Sequence, residues 1–112
     1  MLIREELIEK CPYAASQKAL SGKWAVIVLQ ELSQGTRRFG ELQRAFPDLT
    51  QATLTKQLRQ LEKDGLVCRK VYAEVPPKVE YYLAPMGEEF RPVLESLEHW
   101  GQKYIRFLKK RK

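Results

Sequence analysis

Between positions 51 and 63, helical winding at 3.6 residues per turn sets Gln51, Thr53, Lys56, Arg59, Gln60 and Lys63 opposite Leu54, Leu58 and Leu61. Such a face suits base edges and phosphates: Gln pairs with adenine, Arg with guanine, and Thr with hydrogen-bonding atoms or the thymine methyl. On an isolated helix the same face is most often plain solvated surface. Its neighbours alter that weighting, because a short amphipathic segment precedes it, a basic hairpin follows it and acids are sparse on the outward side. Arg37 and Arg38 come one element earlier, while Arg69, Lys70 and Lys78 lie on the hairpin, all suited to phosphates. Thr50 to Thr53 would form the helix N-terminus, whose dipole also favours phosphate and which would lie deepest in a major groove.

Cys11 stands directly before Pro12, which sets its sulfur at a helix N-terminus where partial positive charge stabilises a thiolate. A redox or electrophile switch and an inert, partly buried thiol carry equal weight at this point. Cys68 sits among apolar strand residues and reads as structural. Two cysteines and a single histidine, His99, offer neither a disulfide framework nor a zinc set. No nucleophile with a base, no paired carboxylates and no Gly-rich phosphate loop is visible, so neither an enzyme nor a metal or cofactor is expected. Glu88-Glu89 suit the positive end of the last helix, and His99 beside Trp100 reads as a surface or interface residue.

The elements that would position these groups follow from periodicity. A first helix opens at Pro12, carries Ala14, Ala15, Ala19 and Leu20, and ends at Ser21-Gly22. Trp24, Ile27, Val28 and Leu32 predict a second, well-buried helix that stops near Gln34-Gly35. Thr36 to Arg38 form a minimal strand. Phe39, Leu42 and Phe46 trace a third helix ended by Pro47, and Thr50 caps a fourth that stops at Asp64-Gly65. Leu66 to Tyr72 and Lys78 to Leu83 read as strands joined by a stiff tip, Ala73 to Pro77. Pro85 then opens a long last helix. Its stripe of Phe90, Val93, Leu94, Leu97, Trp100, Tyr104, Ile105 and Leu108 exceeds what a core of this size easily covers, so the surplus is expected to meet a partner.

With 112 residues the chain is long enough for one core. It is 44% hydrophobic and 30% charged, with no apolar run near the roughly 20 residues of a membrane span. Arg4, Glu5, Glu6 and Glu9 argue against a signal peptide, so a cytoplasmic, membrane-free location is expected. Of the net charge of +6, five units lie in Arg106 to Lys112, so the positions of the cations say more than the bulk pI. The expected fold is α+β, mostly α: a winged helix-turn-helix with a two- to three-stranded wing sheet and terminal dimerisation helices. A single domain spans 1–112, with an N-terminal arm or helix at 1–10, helix-turn-helix and wing at 36–84, and dimerisation helix plus basic tail at 85–112.

Cys11-Pro12, Ser21-Gly22-Lys23-Trp24, Arg38-Phe39-Gly40-Glu41-Leu42, Leu54-Thr55-Lys56-Gln57-Leu58, Leu61 to Val67 and Val75 to Tyr81 together resemble the HxlR family of bacterial and archaeal regulators. The resemblance runs from Cys11 to about Trp100. It implies a homodimeric winged-helix repressor or activator, related in architecture to the MarR group and often responsive to oxidants or electrophiles, with the cysteine matching Cys11 frequently the sensor. Ser21 departs from a common glycine, and Ala84 from a threonine that usually caps the last helix. Leu7, Phe90, Leu94, Leu97, Trp100, Tyr104 and Leu108 are the expected dimer residues, with Leu2, Ile3 and Ile8 packing beside them. The expected partner is double-stranded DNA with a palindromic operator, its half-sites about 34 Å apart. A small-molecule effector stays open, as does a winged-helix module that binds protein instead of DNA.

Overall fold

The computed structural model describes residues 4–111. In order, its elements are α1 (Glu5–Lys10), α2 (Pro12–Ala19), α3 (Ala25–Ser33), β1 (Arg37–Arg38), α4 (Phe39–Ala45), α5 (Gln51–Lys63), β2 (Val67–Tyr72), β3 (Lys78–Leu83), α6 (Pro85–Glu88) and α7 (Arg91–Lys110). The N-terminal segment is thus a helix of its own, parted from α2 by Cys11 in an extended conformation. Leu2 and Ile3 lie outside the described residues, as does Lys112.

In α3 the buried set is Ala25, Val28, Leu29 and Leu32. Ile27, expected inside, is 43% exposed, while Leu29 is fully buried. The helix is apolar on nearly every side, so spacing alone could not choose its inner face. Leu54, Leu58 and Leu61 of α5 turn inward as expected, each at most 1% exposed, and pack with Leu42, Leu49 and the α3 residues. Each such burial contributes about 1.5–3 kcal/mol.

Local chemistry fixes the ends of α5. The Thr50 Oγ1 accepts the Thr53 amide hydrogen at 3.1 Å, satisfying one free donor of the first turn. At the other end Gly65 takes φ +85°, a left-handed conformation that lets the Leu66 amide reach the Leu61 carbonyl at 2.9 Å. Leu66 therefore belongs to this turn, and β2 starts one residue later than its β-branched pattern suggested.

The sheet is antiparallel in the order β1-β3-β2. Its register pairs Arg37 with Tyr81 and Tyr81 with Arg69 on one face, and Arg38 with Glu80 and Glu80 with Lys70 on the other. Val67 and Leu83 extend the first face into the core, so that face looks inward and the second outward. The tip, 73–77, is unpaired.

The C-terminal region corrects the expected single helix. Pro85 opens only the four-residue α6, and α7 begins afresh at Arg91, with Pro92 in its first turn where the missing amide hydrogen is harmless. Ala84 precedes α6 without any side-chain cap. Gly87 is buried so tightly that a Cβ there would sit 2.2 Å from the Leu66 carbonyl oxygen. Phe90, expected at a dimer face, is half-buried and packs against the core. The 20 residues of α7 include none that is buried. The radius of gyration, 15.8 Å, exceeds the roughly 13 Å of a compact chain of this length.

Candidate nucleic-acid interface

With three leucines and Gln57 inside, α5 turns Gln51, Ala52, Thr55, Lys56, Arg59, Gln60 and Lys63 toward an open concavity of about 720 Å³. Ala52 and Thr55 were not singled out by the sequence reading. Winding at 100° per residue puts Ala52 beside Arg59 and Lys63, so counting helical phase, in place of selecting polar residues, finds it. A small methyl at this position suits contact with a thymine methyl. Lys56, Arg59 and Lys63 enter no ion pair among the described residues.

Thr50 and Thr53 are less free. Their hydroxyls bond to each other at 2.9 Å, and Thr50 also holds the cap. Gln60 donates to Asp64 Oδ2 at 3.0 Å, and Lys18 donates to Asp64 Oδ1 at 2.9 Å. Burial opposes ionisation of Asp64, whose side chain is 5% exposed, but these bonds from Gln60 and Lys18 outweigh it and hold the carboxyl below its usual range. Asp64 thereby joins α2 to the end of α5.

Several sheet cations are likewise engaged. Arg37 Nε pairs with Glu31 of α3 at 3.0 Å, half-buried, and Arg69 Nε lies 3.5 Å from Glu62 of α5. On the outward face Tyr72 donates to Glu80 Oε1 at 2.7 Å, and this bond, with Lys78 and Arg38 nearby, keeps the Glu80 carboxyl below its ordinary value. Lys78 is 3.6 Å from Glu80, and the Lys70 and Lys78 ammoniums lie 4.8 and 4.6 Å from the Tyr72 ring centre. Arg38 is exposed and forms no ion pair among the described residues. Of the cations expected to meet DNA, Lys56, Arg59, Lys63, Arg38 and Lys70 enter no ion pair among the described residues, while Arg37, Arg69 and Lys78 each have an acidic partner.

Cys11 is a free, partly exposed cysteine at the N-cap position of α2. Its carbonyl accepts from Ala15, and its side chain makes no cap bond to the helix amides. Cys68 is also free and half-buried on the outward sheet face. Among the described residues no group of three His, Cys, Asp or Glu side chains could hold a metal, and no helix is long and apolar enough to cross a membrane. His99 is exposed on α7.

Of the expected dimer residues, Leu7 is 51% exposed and Leu97, Trp100, Tyr104 and Leu108 are between 38 and 62% exposed. Leu94 is half-buried, facing a groove shared with Ile27 and Gln30 of α3. Trp100, Tyr104 and Phe107 stack in series, with ring centres 5.1 and 5.8 Å apart.

A short helix, a turn, a second helix with its polar face outward and a paired hairpin make this a winged helix-turn-helix protein. The chain belongs to the HxlR-like helix-turn-helix family, whose model matches residues 19–109. It is 45% identical over 96 residues to the uncharacterised HTH-type transcriptional regulator YdeP of Bacillus subtilis, covering 86% of this chain and 75% of that one. A regulator of the same description from Methanothermobacter thermautotrophicus is 44% identical over 94 residues, 84% of this chain and 72% of the relative. Among solved structures, the redox regulator HypR in its reduced form superposes with a TM-score of 0.83 at 39% identity, covering 88% of this chain and 98% of that one. The reduced form of the regulator YodB from Bacillus subtilis gives 0.73 at 29% identity, covering 84% and 93%. The chain is a transcriptional regulator of helix-turn-helix type.

Proposed function

We propose that this regulator binds duplex DNA sequence-specifically as a homodimer, with α5 in the major groove and the β2–β3 hairpin along the flanking backbone. The observation that carries the reading is the outward face of α5, where Lys56, Arg59 and Lys63 enter no ion pair among the described residues and surround Ala52, Thr55 and Gln51. A module built to bind protein would show acidic or apolar groups there. Arg59 at the centre of the face is assigned to a base edge. Lys56, Lys63 and Arg38 are assigned to phosphates, as are Lys70 and, secondarily, the paired Arg37, Arg69 and Lys78. Gln51 and Thr53 serve the first turn, with Thr50 as its cap and Gln60 held back by Asp64.

The exposed stripe of α7, with Leu7 of α1, supplies the dimer contact. A twofold arrangement brings two copies of α5 to a palindrome. The likeness to HypR, described as a redox regulator, supports Cys11 as the group through which an oxidant or electrophile alters that arrangement. Selection of bound fragments from random DNA, repeated with and without oxidant, tests the whole reading. A palindromic consensus that is lost on oxidation in wild type and kept in Cys11→Ser is expected; unselective binding would remove the specificity.

A further inference from the structure

A second groove, of about 430 Å³, runs beside the first and is lined by Ser21, Gly22, Lys23, Thr53, Lys56 and Gln57, with Trp24 and Gln60 at its edges. It lies between α5 and the loop joining α2 to α3, and it shares Lys56 and Gln60 with the concavity over the reading face. Two features show that loop and helix are fitted to each other. Gln57 is a buried polar residue of α5, 6% exposed, and donates through Nε2 to the Ser21 carbonyl at 3.3 Å. Its amide lies against Gly22, which adopts φ +102°, and a Cβ on Gly22 would be only 2.2 Å from Gln57 Oε1. The backbone conformation thus favours glycine, and any Cβ there would displace the Gln57 amide.

This fit carries Lys23 to the rim of the groove. Lys23 is exposed, lies 5.5 Å from the Trp24 ring centre and enters no ion pair among the described residues. The nearby Lys18, by contrast, is matched by Asp64. Two unmatched ammoniums, Lys23 and Lys56, together with the Thr53 hydroxyl, whose hydrogen is free to donate because its oxygen accepts from Thr50, converge on a space far larger than the roughly 30 Å³ of one water. Two cations and a neutral donor, with no carboxylate on the lining, have the chemistry of an anion seat.

We propose that this groove seats one phosphate of the operator backbone, with Lys23 and Lys56 as its counter-charges, next to the base pairs over which α5 lies. The inference rests on the DNA-binding reading above. A phosphate held here, off the axis of α5, fixes how far the helix rolls in the major groove, because Gln57 makes the loop and the helix one body. Its chemistry carries no sequence preference, so its energetic signature is uniform.

Lys23→Gln, Lys23→Arg and wild type are compared on the selected operator and on random DNA across a salt series, with phosphate-ethylation interference mapped on the operator. Lys23→Gln is expected to weaken both DNAs by about the same factor, roughly ten-fold, and to lower the logarithmic salt slope by about 0.9. It should also lose interference at a single phosphate per half-site, and Lys23→Arg should restore all three readings. A Lys23→Gln protein that matches wild type on every reading, or one that Lys23→Arg fails to rescue, overturns the seat while DNA binding by wild type stands. Relaxed preference at one base pair with an unchanged salt slope makes Lys23 a base reader and likewise overturns it. Wild type that binds neither DNA ends the parent reading and this one with it.

Discussion

Helices α5 and α7 are both amphipathic, yet they resolve their apolar sides in opposite ways. In α5 three leucines disappear into the protomer's own core, and the polar side that remains is nearly free of acids. In α7 the apolar stripe is longer, carries stacked aromatics and has no buried residue. A single copy therefore buries the apolar side of α5 but leaves most of the α7 stripe exposed, with α7 meeting α3 only near its start. The lesson is that hydrophobic pattern alone does not separate a face buried within the protomer from one left exposed on it; the number of elements available to cover it does.

The contrast can be tested most strongly at its buried pole. Leu58→Ala is expected to lower unfolding free energy by about 2–5 kcal/mol in urea titrations at fixed protein concentration. The corresponding change on α7, Leu97→Glu, is expected to abolish the rise of Tm with protein concentration, turn a dimer into a monomer in sedimentation, and weaken operator binding about 100-fold through lost bivalency. If Leu97→Glu instead unfolds the protein at every concentration, α7 belongs to the core and the contrast fails.

Within α5 itself, Arg59→Ala should cost about 1–3 kcal/mol on the selected operator and much less on random DNA. Gln60→Ala, one position on, should leave base preference unchanged because its amide already serves Asp64. Equal effects of the two would mean that the intramolecular bond is exchanged for DNA on binding.

A smaller effect concerns the joint between α2 and α5. Asp64→Asn should cost about 1 kcal/mol at neutral pH, since Lys18 is half-exposed and solvent screens the pair. The folded carboxyl titrates below the usual 3.8, so its contribution is fully present above that value. It is lost as the pH falls from 3.8 through the lowered folded value, and the variant should have a correspondingly flatter acid limb in thermal melts.

Much of this was legible in the order of residues because it depends on near neighbours. Thr50, Leu54, Leu58, Leu61 and Gly65 specify α5 within a single short segment, 50–65, and the winged topology follows from the succession of such segments. The division of α6 from α7 was hidden because two prolines, Pro85 and Pro92, each suit a helix start, and the burial of Gly87 and the packing of half-buried Phe90 are tertiary. The state of the cations was hidden for a different reason. Glu31 and Glu62 reach Arg37 and Arg69 from other elements, so no local pattern reports those two pairings, whereas Glu80 stands two residues from Lys78 on the same face of β3. Lys23 stands about thirty positions before Lys56 and joins it only through tertiary packing.

The close seating of Gly87 has one further mechanical effect. With a main-chain oxygen 2.2 Å from where its methyl would stand, α6 is stepped like a mast into a deck, just ahead of the start of α7. The twenty-residue spar of α7, about 30 Å long, thus follows a segment fixed against Leu66, the turn residue whose carbonyl also accepts from the Ala84 amide.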